Sequence, residues 1–125
     1  MRSVVLGSLF AAAVIAAAPA LAQQAKQFSG FVSSGKDPGG SSRCPTYGMK
    51  MDLTVTGSAV QATFQQTGRD MRNFAATAAA DGTFKTEAVV GGGGKMKVTG
   101  KVMPSEVTVR LDGYCIFDFK LAPKS

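Results

Sequence analysis

Residues 46–56 alternate without a lapse: Tyr47, Met49, Met51, Leu53 and Val55 are apolar, whereas Lys50, Asp52, Thr54 and Thr56 are polar. A period of two sends each set to its own face of a pleated strand, while a helix would repeat like residues every three or four positions. After Gly57-Ser58 the period resumes, with Val60, Ala62 and Phe64 set against Gln61, Thr63 and Gln65, so the two runs predict a hairpin. Breaks recur at Thr67-Gly68, Asp81-Gly82, the four glycines of residues 91–94, and Asp112-Gly113. The Asp-Gly pairs readily supply the positive φ angles of a tight turn.

Between the breaks lie residues 71–79, 83–90, 95–103, 106–111 and 114–121, each long enough for a strand and most too short for a stable helix. The run 70–80 is ambiguous, because Ala75, Ala76, Ala78, Ala79 and Ala80 favour a helix; we read it as strand, a helix there making the fold α+β. In the last run Cys115, Phe117, Phe119 and Leu121 take the inner face. Residues 28–32 predict a first strand, followed by an exposed loop over residues 33–42. The class is all-β: a small antiparallel up-and-down barrel of about eight strands, or alternatively a two-sheet sandwich, between which periodicity does not choose. A faint echo of residues 53–57 in residues 96–100, each a strand running into Gly, reads as turn chemistry rather than duplication.

Residues 1–22 are of another kind. Arg2 precedes an apolar, alanine-rich run of about fifteen residues that ends in Ala20-Leu21-Ala22. This is the pattern of a signal-peptide helix with a small-residue cleavage site, too short to span a bilayer as an anchor. Cleavage after Ala22 leaves residues 23–125 as one β domain, not membrane-spanning. Removing Arg2 from the fourteen basic residues leaves thirteen against eight acids, a net charge of +5 scattered along the chain. Nucleic acid as a partner would call for basic residues clustered with interleaved aromatics, so it is not expected.

Cys44 and Cys115 are the two cysteines of the chain. An even count in a small exported domain predicts a disulfide, Cys44–Cys115. Histidine is absent, which removes the usual general base, proton shuttle and metal ligand together. No catalytic residue and no cofactor is expected. The eight carboxylates include Asp81 and Asp112, which have turn duties, and Asp52, Glu87 and Asp118 at outward strand positions. Gly91 to Lys95 imitates a phosphate loop, but Val89 stands where its first glycine is needed and Met96 where Ser or Thr is needed. Met49, Met51, Met71, Met96 and Met103 offer thioethers suited to Cu(I), yet Met49 and Met51 fall on the apolar face, where methionine fills core space. No metal site is therefore expected. Among the basic residues, Arg69 and Arg72 near one hairpin and Lys95, Lys97 and Lys101 near another could form a positive rim at one end of a barrel.

The leader, the glycine-rich stretch ending in Cys44, hairpins such as Gly100-Lys101-Val102, and the closing run Cys115-Ile116-Phe117-Asp118-Phe119 together resemble small uncharacterised periplasmic single-disulfide β-proteins of Gram-negative bacteria. The chain is also loosely similar to lipocalin-like metalloprotease inhibitors, although it lacks the tryptophan characteristic of them. The residues imply a periplasmic or secreted, non-enzymatic binding domain whose loop tips, residues 33–42 and 91–94, meet an envelope protein or an anionic envelope component. The alternatives are a carrier of a small apolar ligand inside the barrel and a lipocalin-like protease inhibitor. Intact-mass measurement of the exported protein is expected to give a chain beginning at Gln23 with both thiols oxidised; a full-length or reduced species would contradict this reading.

Overall fold

The computed structural model describes residues 24–39 and 42–124, so the proposed leader and its helix lie outside the described residues. The fold is all-β, with eight antiparallel strands in a nearly closed up-and-down barrel: β1 Ala25–Lys36, β2 Met49–Thr56, β3 Ala59–Gln66, β4 Arg72–Thr77, β5 Thr83–Val89, β6 Lys95–Met103, β7 Glu106–Asp112 and β8 Ile116–Pro123. Their order across the sheet is β4-β3-β2-β1-β8-β7-β6-β5. Strands consecutive in the chain pair as hairpins, except β4 and β5, and the first strand pairs with the last. The sandwich alternative is thereby set aside.

Alternation does what the sequence implies. Met49, Met51, Leu53 and Val55 of β2, Val60, Ala62 and Phe64 of β3, and Phe117, Phe119 and Leu121 of β8 are buried in one core with Phe28, Phe74, Phe84, Val98, Val107, Val109 and Leu111. No polar or charged residue is buried among the described residues. Stripping a core aromatic or leucine from such an interior costs on the order of 2–5 kcal/mol. The alanine-rich run forms β4 rather than a helix, since Ala62↔Phe74 and Val60↔Ala76 register against β3 outweighs local propensity.

β4 and β5 complete the ring without a ladder. Their hydrogen bonds stop at the connecting turn, where Ala79 N–H donates to Thr83 O and Gly82 N–H donates to Ala79 O. Along the seam Phe74 stacks on Phe84 at 6.2 Å between ring centroids, continuing a row that begins with Phe64 and Phe74 at 6.3 Å. The seam is thus held by side chains alone.

Three expectations need correction. The first strand does not end at Val32; β1 continues to Lys36 through a bulge between Val32 and Ser34, where Ser33 Oγ donates to Asp118 O and Gly35 pairs with Phe117. Residues 33–36 are therefore wall rather than loop. The polar composition that reads as loop instead serves a bulge, which needs short side chains able to bond the neighbouring backbone. Tyr47 is also outside β2, because Cys44–Thr46, with its proline, forms a single 3-10 turn first. Finally, Gly57, Gly68 and Gly82 take positive φ in their turns, but Gly113 does not. Its Cβ would sit 2.8 Å from Met96 Cγ, so glycine is required there by close approach instead.

Nor does the echo of residues 53–57 in 96–100 survive: Gly57 is a turn residue, whereas Gly100 lies inside β6. A Cβ on Gly100 would collide with Phe84 Cζ and would lie 2.6 Å from Thr108 O. The missing side chain lets the Phe84 ring pack against the β6 backbone, coupling strand sequence to aromatic packing. Gly100→Ala is expected to destabilise the barrel by about 1–3 kcal/mol, as overpacking does. Urea denaturation should show a lower midpoint, and Phe84→Leu in the same chain should recover only part of it because the Thr108 carbonyl still obstructs; an unchanged midpoint would refute this.

Candidate functional site

Antiparallel order sorts the connections to two ends of the barrel. At one end lie the ends of β1, β3, β5 and β7 and the starts of β2, β4, β6 and β8; this end we call the mouth. The disulfide Cys44–Cys115, with Cα atoms 5.7 Å apart, spans it, joining the β1–β2 connection to the β7–β8 turn. Closure of a 71-residue separation contributes about 4 kcal/mol in the loop-entropy account. Such a bond also points to an oxidising, exported environment. No helix among the described residues is long and apolar enough to cross a membrane.

Beside the disulfide the mouth opens into a recess of about 270 Å³. Tyr47, Met49, Phe64, Met96, Cys115 and Phe117 form its apolar floor, and Arg69, Asp70, Arg72, Gly91 and Tyr114 stand around it. The floor exists because inward alternation continues to the mouth, at the starts of β2, β6 and β8 and the end of β3. Tyr47 is held over it by the 3-10 turn, tilted against Phe117 with centroids 6.5 Å apart.

The lip is built by turns. In the β3–β4 turn Arg69 N–H donates to Gln66 O at 2.9 Å and Gly68 has φ of 79°, which is the requirement for the third position of a type II turn. Gln65 Nε2 donates to Arg69 O, and Thr67 N–H donates to Gly48 O, fixing the turn above the floor. Arg72, half-buried at the start of β4, extends across the unladdered seam. Its Nη2 lies 3.3 Å from where a Cβ on Gly91 would be, so the bare backbone of the glycine turn makes room for the guanidinium. Neither Arg69 nor Arg72 offers its guanidinium to a hydrogen bond or ion pair among the described residues.

The proposed positive rim is therefore divided. Arg69 and Arg72 meet at the recess. Lys95 is at the same end but on the outer wall, 4.0 Å from Glu87, and Lys97 lies between Glu87 and Asp112 in register. Lys101 belongs to the opposite end, beside Asp81 and facing Thr83 and Thr108, because six residues of strand separate it from Lys95 by about 20 Å. The methionines are divided as well: Met49 and Met96 line the recess, Met51 is fully buried, Met71 is exposed, and Met103 ends β6 at the far end. No group of three metal-ligating His, Cys, Asp or Glu residues occurs among the described residues.

Sequence reading missed the apolar half of this end. Met71 and Val89 are each 60% exposed and Tyr114 is 77% exposed, and all three flank the mouth. Their signal was present in the phase of the strands, which turns Met71 outward when Arg72 and Phe74 turn in, and Val89 outward when Ala88 turns in.

A larger groove, about 580 Å³, runs over the outer wall between the bulge of β1 and strands β6 to β8. Of its charged side chains, Arg110 and Asp118 are matched to each other, while Lys120 lies beside them. Arg110 binds Asp118 through two bonds, Nε to Oδ1 at 2.7 Å and Nη2 to Oδ2 at 3.0 Å, and Ser34 Oγ donates to the same carboxylate at 3.4 Å. The bond from Arg110 holds the Asp118 carboxyl below its ordinary pKa, against a smaller opposing effect of burial. The Asp118 bond correspondingly raises the Arg110 pKa. An arginine and a carboxylate that satisfy each other offer a ligand less than two arginines that are both uncommitted.

Comparison with family models, curated proteins and solved structures finds no match. The fold and site define a class: a small disulfide-closed β-barrel with an apolar recess and a cationic lip at one end.

The Asp118 shift fixes a pH dependence. Because its folded pKa lies below the unfolded value near 3.9, the pair stabilises the barrel above about pH 4, and that stability is lost as pH falls through the folded pKa. Arg110→Gln is expected to lower the melting temperature at pH 7 only slightly, given the half-exposed arginine. The difference from the parent should shrink towards pH 2 in thermal melts; a difference constant from pH 7 to pH 2 would refute the assignment.

Proposed function

We propose that the mature protein is a non-enzymatic binding domain of the bacterial envelope, acting in the periplasm or after secretion, and that it engages its ligand at the mouth of the barrel. The observation that carries this reading is the coincidence, at one end, of an apolar recess, two uncommitted arginines and three exposed apolar side chains. Exposed apolar surface rimmed by polar groups is what interaction sites present. The ordinary alternative for each residue alone, a solvated arginine or a stray surface methionine, does not account for their convergence.

Two further features support binding over turnover. Asp118, Glu87 and Asp52 each face a cation, respectively Arg110, Lys95 and Lys124, on the outer wall rather than each other across a cleft. The recess, at about 270 Å³, falls just under the roughly 300–1,000 Å³ of typical small-molecule sites. A carrier enclosing its cargo in the barrel would need space where Phe119, Met51, Leu53, Leu111 and Leu121 are packed. The glycine turn of residues 91–94 remains part of the binding end, as a neighbour of Arg72 rather than as a grasping tip.

The mature domain, labelled with ¹⁵N and mixed with separated lipid, glycan and protein fractions of the envelope, should show amide shifts concentrated at Arg69, Arg72, Gly91, Met96 and Tyr114. Shifts confined to the outer groove around Arg110 and Asp118, or none with any fraction, would overturn the proposal.

A further inference from the structure

We infer that the recess takes a small amphipathic carboxylate: an apolar body of about eight carbons seated on the floor, with its anionic head held at the lip by Arg69 and Arg72. This inference rests on the mouth being the binding site and adds the chemical class of the ligand.

Size comes first. At about 30 Å³ for each water-sized group, a recess of about 270 Å³ holds on the order of nine heavy atoms. That is enough to seat a short acyl or single-ring body.

The floor then sets polarity. Met49, Phe64, Met96 and Phe117 line the place where the body would lie. Two flexible methionines can fit around either a chain or a ring. The hydroxyls of Tyr47 and Tyr114 and the amide of Gln66 are the uncharged polar side-chain groups at the recess, so a sugar-like ligand with many hydroxyls would lose more hydrogen bonds to water than it regained.

The lip supplies the charge preference. Two guanidiniums oppose the single carboxylate of Asp70, leaving the rim cationic. Arg72 is located by its passage over Gly91 and Arg69 by the turn bonds at Gln65 and Gln66, so neither position depends on an internal carboxylate partner. An arginine fork matches a carboxylate through two parallel N–H···O bonds, which are stronger than neutral ones. Lys95 is directed elsewhere by Glu87 on the outer wall.

The test compares octanoate, 1-octanol and octylammonium by ¹H–¹⁵N NMR titration of the disulfide-intact mature protein at pH 7, with phosphatidylglycerol vesicles in a separate arm. Octanoate is expected to shift the mouth amides and to bind about tenfold more tightly than octanol, with octylammonium weaker than both. R69Q/R72Q should reduce octanoate to the affinity of octanol while leaving octanol unchanged, with the variant's fold checked by its amide dispersion. Equal binding of octanoate and octanol by the parent overturns the carboxylate assignment but leaves the mouth as the binding site. Vesicle retention without octanoate binding overturns it in favour of a lipid surface. No mouth shift with any probe overturns it too, and together with silence toward the envelope fractions overturns the binding-domain reading itself.

Discussion

The barrel depends on the pairing of its first strand with its last. β1 is hydrogen-bonded to β2 along one edge and to β8 along the other, and every other strand is reached outward from that centre. Strands β1 to β4 make one meander and β5 to β8 another, and their backbones are laddered together only where β1 meets β8. The disulfide joins the same two halves a second time, at the mouth. Contacts between chain ends are the most expensive in loop-closure entropy, and a fold built on them forms slowly. A covalent tie between the meanders reduces that entropy in the unfolded chain and so acts on the step with the longest reach.

The same topology explains where the molecule is least constrained. With the chain ends at the centre of the sheet, its middle supplies the edges, and β4 and β5 meet through Phe74 and Phe84 rather than through amides. Local opening needs few hydrogen bonds broken at such a junction, so the edge strands should be the first to exchange their amide hydrogens. Arg72 and the glycine turn lie at the mouth end of this seam. The part of the candidate site that carries charge is thus also the part with the most freedom to adjust, while Tyr47, Cys115 and Phe117 of the floor lie on the disulfide-bearing side.

Much of the fold was legible in the chain because its determinants are local. Alternation in β2, β3 and β8 survives any change of neighbours, and β6 begins and ends where the glycine break and Met103 suggest. What was not legible is set by approach between distant segments. The bulge at Ser33 arises from the partner β8, Gly113 is small because Met96 crosses it, and Gly100 because Phe84 does. The same holds for the site: Arg69 and Arg72 share one hairpin, whereas the length of β6 carries Lys101 to the end opposite Lys95. Met71 comes from the β3–β4 turn, Val89 from the end of β5 and Tyr114 from the β7–β8 turn, and only closure of the ring makes them neighbours of one opening.

Both termini of the described chain leave from the end opposite the mouth, since β1 starts and β8 finishes there and Lys124 N–H still donates to Gln27 O. The molecule therefore has a polarity: whatever is fused to either terminus hangs behind it, a full strand length from the recess. A protein tethered by either end to a surface or a larger assembly would hold its arginines and exposed tyrosine outward, toward the surrounding solution.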